Sequence, residues 1–402
     1  MRLLNVLNET NVRLNEKMAT LPRLSVSQRK GVVPSDSLNV NSMQASNFEK
    51  YKIVQPGHLV INRFNAYKGA LGRAPFRGIV SPDYFTGEID RSRSDDRYIE
   101  YFLRAKPTAN LIERDMSGMG SGDPNSSAFS RFDVRSFLNL TIPVTDLQRQ
   151  QRIADYLDRE TAEIDAAVAD LDRYLELLEK RKKTLAVKHI FPYGFPQNLL
   201  SASDYLALGY QSVQRIASFA KLRKKRNDDP NADYLSLLRG QGVIPYEEKG
   251  NVGNKKPQDL TTSFMVEKGD YLVNSMNFGI GSFGRSSYSG VASAAYLIFC
   301  INEELVNPDF LQFVFANDDL RAQAQNLGNG ILEHRKSINW DRFRAIYVPM
   351  PQRGKQDAIV DVLSRETSKL QSLIAESTKL RDLLLKRRSV LITEVVTGRK
   401  QV

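Results

Sequence analysis

Leucine and isoleucine recur at seven-residue intervals in two stretches of the chain. The residues of this repeat are Leu157, Ile164, Leu171, Leu178 and Leu185 in the first stretch, and Leu363, Leu370, Leu384 and Leu391 in the second. The spacing predicts two long helices, each with an apolar seam of the coiled-coil type. Pro143 indicates that the first helix begins after it, and Gly398 is placed to end the second. We expect helices over 146–190 and 350–398 that pair antiparallel, although each could instead pack only on its own domain.

The sequence before each helix has a different pattern. YKIVQPGHLVIN and GVASAAYLIFCIN contain short apolar runs broken by Gly, Pro and Asn, which predicts short strands joined by tight turns. FPYGFPQ, at 191–197, has two prolines and a glycine, so it predicts a hinge after the first helix. The expected fold class is α+β, with two mixed α/β domains separated by two long antiparallel coiled-coil helices.

The two halves of the chain repeat each other. At an offset of 212 residues, Gly57 aligns with Gly269, Asn62 with Asn274, and GIVSPDY with GVASAAY. At an offset of 206, QRIADYLDRET aligns with DAIVDVLSRET. Such an internal repeat predicts that one structural unit occurs twice. The predicted organisation is a first domain over 1–145, a helix over 146–190, a linker over 191–204, a second domain over 205–345 and a helix over 346–402.

The second half carries an additional segment before its domain. This segment is YLALGYQSVQRIASFAKLRKKR, whereas the first half begins directly at MRLLNVLNETNVRLNEK. The first domain therefore lacks a counterpart of this lead-in, which leaves the presence of its initial strand open.

The net charge of the chain indicates a class of binding partner. The chain of 402 residues has a formal net charge of +11, with 41% hydrophobic and 26% charged residues. A basic protein attracts polyanions, so nucleic acid leads the partner list, with a merely solvated basic surface as the alternative. The sequence contains no apolar run long enough for a membrane helix, so we expect a cytoplasmic protein without a membrane partner.

Candidate catalytic chemistry is weak throughout the sequence. Cys300 is the sole cysteine, and the three histidines are dispersed, so we expect neither a disulfide nor a metal site. GIGSFG matches a phosphate-binding glycine string, but a strand-like run follows where a helix is required. PDYFTGEID lacks the final lysine of a nuclease motif, and no Asn/Asp-Pro-Pro-aromatic loop of an amino-methyltransferase is present. We expect no cofactor and no catalytic residue.

Both helical segments and the sequence that leads into them carry a family resemblance. The segments IPVTDLQRQQRIADYLDRETAEIDAAV with LLEKRKKTL, and VPMPQRGKQDAIVDVLSRETSKLQSLI with LLLKRRSVLITEVVTG, resemble the specificity subunits of type I restriction-modification systems. The resemblance implies that each domain reads one half of a bipartite double-stranded DNA site, while the helices set the gap. It also implies binding to two methyltransferase subunits, with endonuclease/translocase subunits joining the complex, and no catalysis by this chain.

DNA contacts are expected in loops that offer cations and amides. In the first domain the candidates are Arg63, Asn65, Tyr67, Lys68, Arg73 and Arg131, and in the second they are Ser275, Asn277, Arg285, Arg335 and Lys336. A further set is Ser25, Gln28, Arg29 and Lys30, matched by Arg239 and Gln241. Cations position a protein on phosphates, whereas Arg, Asn, Gln and Ser read base edges. For each residue the alternative is a solvated loop side chain.

Two rival functions remain open at this point. One is a coiled-coil assembly adaptor that does not read DNA, and the other is a nuclease or methyltransferase with an unfamiliar site. An exposed apolar face on the helices would also lead to homo-oligomers when the chain is isolated.

Overall fold

The computed structural model describes residues 1–13, 21–38, 50–117, 131–252, 255–330 and 336–402. The chain forms two compact units. Unit 1 consists of Met1–Arg173 and Thr378–Val402, and unit 2 consists of Tyr174–Ser377. Both units take part of each long helix, so the boundary between them falls within helices.

Unit 1 contains a four-stranded antiparallel sheet in the order β1-β8-β5-β6, and the smaller pairs β2–β3, β4–β7 and β9–β10. Its strands are β1 Leu7–Glu9, β2 Leu24–Ser27, β3 Gly31–Pro34, β4 Lys52–Val54, β5 Leu59–Asn62, β6 Leu71–Arg73, β7 Gly78–Val80, β8 Tyr84–Ile89, β9 Met116–Ser117 and β10 Arg131–Phe132. Its helices are α1 Asp96–Arg104, α2 Lys106–Arg114, α3 Val134–Leu138 and the first part of α4 Leu147–Ile190.

Unit 2 repeats this arrangement with a four-stranded sheet in the order β12-β19-β16-β17, and the pairs β11–β20, β13–β14 and β15–β18. Its strands are β11 Val213–Arg215, β12 Ala220–Leu222, β13 Leu235–Leu238, β14 Gly242–Pro245, β15 Phe264–Val266, β16 Tyr271–Asn274, β17 Phe283–Arg285, β18 Gly290–Ala292, β19 Tyr296–Ile301 and β20 Tyr347–Pro349. Its helices are α5 Ala202–Ala207, α6 Pro308–Phe315, α7 Asp318–Asn326, α8 Trp340–Arg344 and the first part of α9 Arg353–Val396.

The initial strand of unit 1, whose presence the sequence left open, is present in the structure. Strand β1 pairs with β8, as β12 pairs with β19, and Arg2 bridges Thr141 where unit 2 has the longer β11–β20 pair. Leu7 of β1 is buried in the core of unit 1.

Each unit has its own apolar core, and the long helices contribute to both cores. In unit 1, Leu157 of α4 and Val395 of α9 are fully buried in one cluster. In unit 2, Leu363 of α9 is fully buried, and Leu185 of α4 packs against the same cluster. Of the other seam positions, Ile164, Leu178 and Leu370 are also buried, while Leu171, Leu384 and Leu391 are only partly buried.

Two ion pairs within unit 1 give the direction in which the long helices pair. Arg388 donates to Asp165 at 2.8 and 3.0 Å, and Arg381 donates to Asp172 at 3.3 Å. From the first pair to the second, the residue number decreases along α9 and increases along α4, so the two helical segments run antiparallel. The predicted α+β class with two long antiparallel coiled-coil helices is confirmed. Helix α9 begins at Arg353 rather than at 350, because the Met350 backbone N–H donates to Ser212.

A buried glutamine near the start of each long helix ties that helix to its unit. Gln150 accepts hydrogen bonds from Ser94 Oγ and the Asp95 backbone N–H, both at 2.8 Å, and donates to the Val144 carbonyl at 2.7 Å. Gln356 accepts from the Asn307 backbone N–H at 2.8 Å, and its amide also donates to backbone carbonyls. Both glutamines are fully buried. Asp95 and Asn307 cap the helices α1 and α6, so each glutamine joins a long helix to a capped helix.

We expect Gln150→Ala to lower the stability of unit 1 by about 2 kcal/mol, because it leaves buried donors and an acceptor without partners. Alanine favours the helix, so helix propensity works against this loss. Urea denaturation followed by circular dichroism measures the effect as a lower midpoint. Gln151→Ala is the matched control, since Gln151 is exposed on the same helix. Equal midpoints for the two variants would contradict the assigned role of Gln150.

Candidate nucleic-acid interface

The loops over 62–73 and 274–285 join equivalent strands in the two units. Each loop begins with the same side-chain turn, in which the Asn62 or Asn274 side chain accepts from the backbone N–H two residues later, at 3.0 and 3.1 Å. Such a turn fixes the backbone at the start of the loop without constraining the side chains that follow. The residues that follow differ between the units, so the same frame carries unlike side chains.

In unit 1 this loop lies against the segment that precedes α3. The Phe132 backbone N–H donates to the Arg63 carbonyl at 3.3 Å, and Arg63 Nη2 donates to the Phe132 carbonyl at 2.8 Å. The Arg63 guanidinium also lies 5.5 Å from the centroid of the Phe132 ring. The structure therefore brings together two segments that are far apart in sequence, and Arg131, next to Phe132, is exposed beside the loop.

Electrostatics favour an anion beside Arg63 and Arg131. Burial lowers the pKa of the Arg63 guanidinium, and the positive charge of Arg131 lowers it further, while Glu9, Asp133 and Asp83 oppose the shift. Burial is the largest cause of this lower pKa, and Arg131 is the source of charge repulsion. A phosphate would relieve the repulsion between the two arginines.

The other predicted residues of unit 1 have different surroundings. Asn65 is half-buried, and its carbonyl accepts from the Ala70 backbone N–H at 3.1 Å. Tyr67 packs against the core of unit 1, with the exposed Lys68 ammonium 5.2 Å from its ring centroid. Of these residues, Lys68 is the cation most available to a phosphate.

Arg73 is engaged by acidic side chains of α1. Its Nε lies 3.0 Å from Glu100, and its Nη1 lies 3.5 Å from Asp96. Burial alone would lower the pKa of Arg73, but the two carboxylates outweigh it and raise that pKa. In unit 2, Arg285 occupies the equivalent position, forms an ion pair with Glu303 and donates to the Gly269 carbonyl at 3.3 Å. A DNA contact by either arginine would compete with these interactions.

In unit 2 the loop contacts the segment before α8 in the same way as in unit 1. The Ile338 backbone N–H donates to the Ser275 carbonyl at 3.0 Å, and Ser337 Oγ donates to Ser275 Oγ at 2.9 Å. Gln325 donates to the carbonyls of Ser275 and Lys336 and so bridges the two segments. Ser275 is buried and Lys336 is half-buried. Arg335 lies outside the described residues.

A groove of about 350 Å³ in unit 2 brings Asn277 together with the turn between β13 and β14. Arg239 and Gln241 line one side of this groove, and Asn277 and Ile280 line the other. Ile280 is 56% exposed, and Arg239 and Gln241 are also exposed. Two segments that were predicted separately to contact DNA thus border a single surface in unit 2.

Sequence reasoning left Lys224 and Met276 out of the candidate residues. Both line a neighbouring groove of about 400 Å³, which also contains Ser275. The basic run KLRKKR at 221–226 is the sequence feature that could have indicated Lys224, but it belongs to the lead-in segment. Arg223 of this run is held by Asp270 at 2.6 Å, while Lys224 is exposed.

The surfaces of both units offer cations, amides and hydroxyls on strand-connecting loops. These groups suit contacts with phosphates and with base edges. None of the helices in the described part of the chain combines the length and apolar character that a bilayer span requires.

Comparison with known proteins points in the same direction. Residues 211–379 match the family model of the type I restriction modification DNA specificity domain. No curated protein matches the chain.

Solved structures of low sequence identity are similar to the chain, and the first of them shares its fold. One solved structure concerns the complex assembly and conformational transition of the type I R-M system. It superposes on this chain with a TM-score of 0.66 at 11% sequence identity, and the alignment covers 100% of this chain and 97% of that chain. The HsdS subunit from Thermoanaerobacter tengcongensis gives 0.49 at 12% identity, with 100% and 96% covered. The type I restriction-modification S subunit from M. genitalium gives 0.37 at 13% identity, with 96% and 95% covered.

We expect Arg131→Ala to weaken DNA binding about equally for unrelated sequences, because this exposed arginine is placed to contact phosphate. Loss of one phosphate contact should reduce the slope of log affinity against log salt by about 1. Fluorescence anisotropy of the full chain with labelled duplex DNA at several salt concentrations measures both effects. Arg399→Ala removes an exposed cation near the C-terminus and serves as the control. The same slope in both variants would argue against a phosphate contact at Arg131.

Proposed function

We propose that the chain is the DNA-binding specificity subunit of a type I restriction-modification system, and that each of its two units reads one half of a bipartite DNA site. The match of residues 211–379 to the DNA specificity domain, and the fold shared with a solved structure, support this proposal. The proposal concerns how it divides the target between its units and which partners it positions there.

The duplicated fold carries this proposal. The two four-stranded sheets have the same strand order, and the loops after β5 and β16 start with the same asparagine turn. At matched positions the loops present Arg63 against Ser275 and Lys68 against Ile280. Two units with the same backbone fold and different loop side chains suit two DNA half-sites of different sequence. An assembly adaptor that does not read DNA would not need its two loops to differ.

The long helices would carry the methyltransferase subunits. On α9, Leu380 is 49% exposed and Leu383 is 53% exposed, although leucine at such positions gains nothing from contact with water. We propose that these side chains are covered by methyltransferase subunits, two in each complex, with endonuclease/translocase subunits joining through that complex. The same exposed leucines would promote self-association of the chain in isolation.

The source of catalysis and the location of the complex follow from the same proposed role. Methylation and cleavage would come from the partner subunits, and this chain would contribute recognition without catalysis. The complex would act in the cytoplasm, where it meets incoming DNA.

Selection of duplex DNA from a random pool should yield a two-part motif with a constant unspecified gap. The full chain is mixed with its methyltransferase subunit at one moderate salt concentration, because nonspecific binding varies steeply with salt. Two conserved blocks at fixed spacing would support two reading units. Salt-sensitive binding without any motif would contradict the proposal and favour an assembly adaptor.

Leu383→Asp should weaken binding of the methyltransferase subunit by at least about tenfold, because it places a charge in an apolar contact. Ser389→Asp introduces the same charge at an exposed polar position of α9 and is the matched control. Isothermal titration calorimetry with the purified methyltransferase subunit measures the two affinities. If both variants bind like the unchanged chain, Leu383 lies outside the subunit interface.

A further inference from the structure

Each unit contains a small hairpin with a three-residue turn. In unit 1, β2 and β3 pair from Leu24 with Pro34 to Ser27 with Gly31, which leaves residues 28–30 as the turn. In unit 2, the pairing of β13 with β14 ends at Leu238 with Gly242 and leaves 239–241. Both turns end on a glycine with positive φ, Gly31 at 67° and Gly242 at 78°. The hairpins therefore share their length and a left-handed closing glycine, but Gly240 within the second turn also has a positive φ of 77°, whereas the matched Arg29 does not.

The two turns differ in the side chains that they present. One has the sequence Gln-Arg-Lys at 28–30, and the other has Arg-Gly-Gln at 239–241. All six residues are exposed. Arginine reads guanine through two hydrogen bonds, and glutamine reads adenine in the same manner, while a two-stranded ribbon fits the major groove of DNA.

The base of each hairpin is held against the main sheet by direct backbone contact. A Cβ atom placed on Gly72 would lie 3.1 Å from the Cα atom of Gly31. A Cβ atom placed on Gly284 would lie 2.9 Å from the Cα atom of Gly242. The same pair of facing glycines thus occurs in both units, and it fixes the direction of each hairpin relative to its own sheet.

In unit 1, a buried arginine also secures the turn itself. Arg104 Nη1 donates to the carbonyls of Gln28 and Gly69, both at 3.2 Å, and Nη2 donates to the Leu71 carbonyl. Its Nε donates to Glu100 at 3.2 Å. The Arg104 side chain is 13% exposed, and Gln28, whose carbonyl it contacts, is exposed.

Unit 2 has no arginine at the aligned position, and a different arginine lies beside the equivalent glycine. The N-cap residues Asp95 and Asn307 align α1 with α6, so Ala316 aligns with Arg104. Arg321 of α7 lies beside Gly281, the counterpart of Gly69, and its hydrogen bonds go to the Phe315 carbonyl and to Asp318. A cavity of about 740 Å³ lies behind the turn and is lined by Gly240, Gln241, Gly281, Phe283 and Gln312. Within the described residues, Gln312 Oε1 is buried there without a hydrogen-bond partner.

We propose that the turns at 28–30 and 239–241 are the base-reading elements of the two units, and that Arg104 is a positioning residue for the first turn alone. This inference rests on the proposed function and adds the residues that determine specificity. The unit 1 turn is held ready before DNA binds, whereas the unit 2 turn is tied only at its base. Arg104 acts through the turn because its hydrogen bonds reach the backbone of Gln28, while its side chain is shielded from DNA.

The test measures base preference in each half-site separately. The full chain with its methyltransferase subunit selects from random duplex DNA, and the resulting motif is used to make matched duplexes and duplexes mismatched in one half-site. Discrimination is the ratio of the two affinities, so effects on nonspecific binding cancel. The variants are Arg29→Ala, Arg104→Ala, the combination of both, and Gln241→Ala, with the exposed Gln197→Ala as the control.

Arg29→Ala and Arg104→Ala should each reduce discrimination in the same half-site by at least about tenfold and leave the other half-site unchanged. Gln241→Ala should reduce discrimination by a similar factor in the opposite half-site. In the Arg29→Ala chain, Arg104→Ala should add less than about twofold, because the two residues act through one turn. Arg104→Lys keeps the charge without the planar fork and should restore discrimination only in part.

The outcomes separate this inference from the proposed function. Absence of a motif with the unchanged chain would overturn both. A two-part motif that Arg29→Ala and Gln241→Ala leave intact would overturn the inference about the turns alone. Independent, additive losses from Arg29→Ala and Arg104→Ala would overturn the positioning role of Arg104. If Arg104→Ala lowers the unfolding midpoint strongly, Arg104→Lys decides that role, and the Gln241→Ala result is unaffected because Gln241 is exposed.

Discussion

The hydrogen bonds of two buried glutamines determine how the long helices leave their units. A primary amide can accept and donate at once, so Gln150 and Gln356 each join a helix cap to the turn that precedes a long helix. Removing such a group leaves several buried polar atoms unsatisfied, which costs more than the net value of one hydrogen bond. Since the same contact occurs in both units, each long helix has the same relation to its own sheet. The use of the helices as spacers in the proposed complex depends on that relation.

Apolar burial stabilises the helix pairing and also fixes its direction. Leu157 and Leu363 are fully buried, and burial of a leucine side chain contributes roughly 1.5 to 3 kcal/mol. Arg388 and Asp165 are partly exposed, and such pairs are typically worth no more than about 1 kcal/mol. Arg381 and Arg388 are seven residues apart, as are Asp165 and Asp172, so these charges could pair in either direction. The direction follows from the apolar ends of the helices, because Leu157 shares one core with Val395 and Leu363 shares the other with Leu185.

Periodic features of the sequence predicted the fold well, and contacts distant in sequence were beyond its reach. The heptad leucines predicted both long helices, and Gly57 with Gly269 revealed the duplication, because each signal lies in local spacing. The engagement of Arg73 by Glu100 was not visible, since it depends on how α1 packs on the sheet. The same reason explains why Arg104 was not recognised: a lone arginine at a helix end gives no sign that three carbonyls lie within its reach. The sequence left the initial strand of unit 1 open because Leu7–Glu9 is too short to show a pattern.

The facing glycines explain how one frame can carry different recognition residues. At Gly31 with Gly72 and at Gly242 with Gly284, backbone packs directly on backbone. The direction of each hairpin therefore depends on no side chain of its turn, and substitutions at 28–30, 239 or 241 leave the frame unchanged. Gly240 is different, because its φ of 77° favours glycine. Contacts made by side chains would have coupled recognition to packing, so that each change of target required compensation in the core. Close backbone contact removes that coupling, and it restricts variation to the exposed turns where the two units already differ.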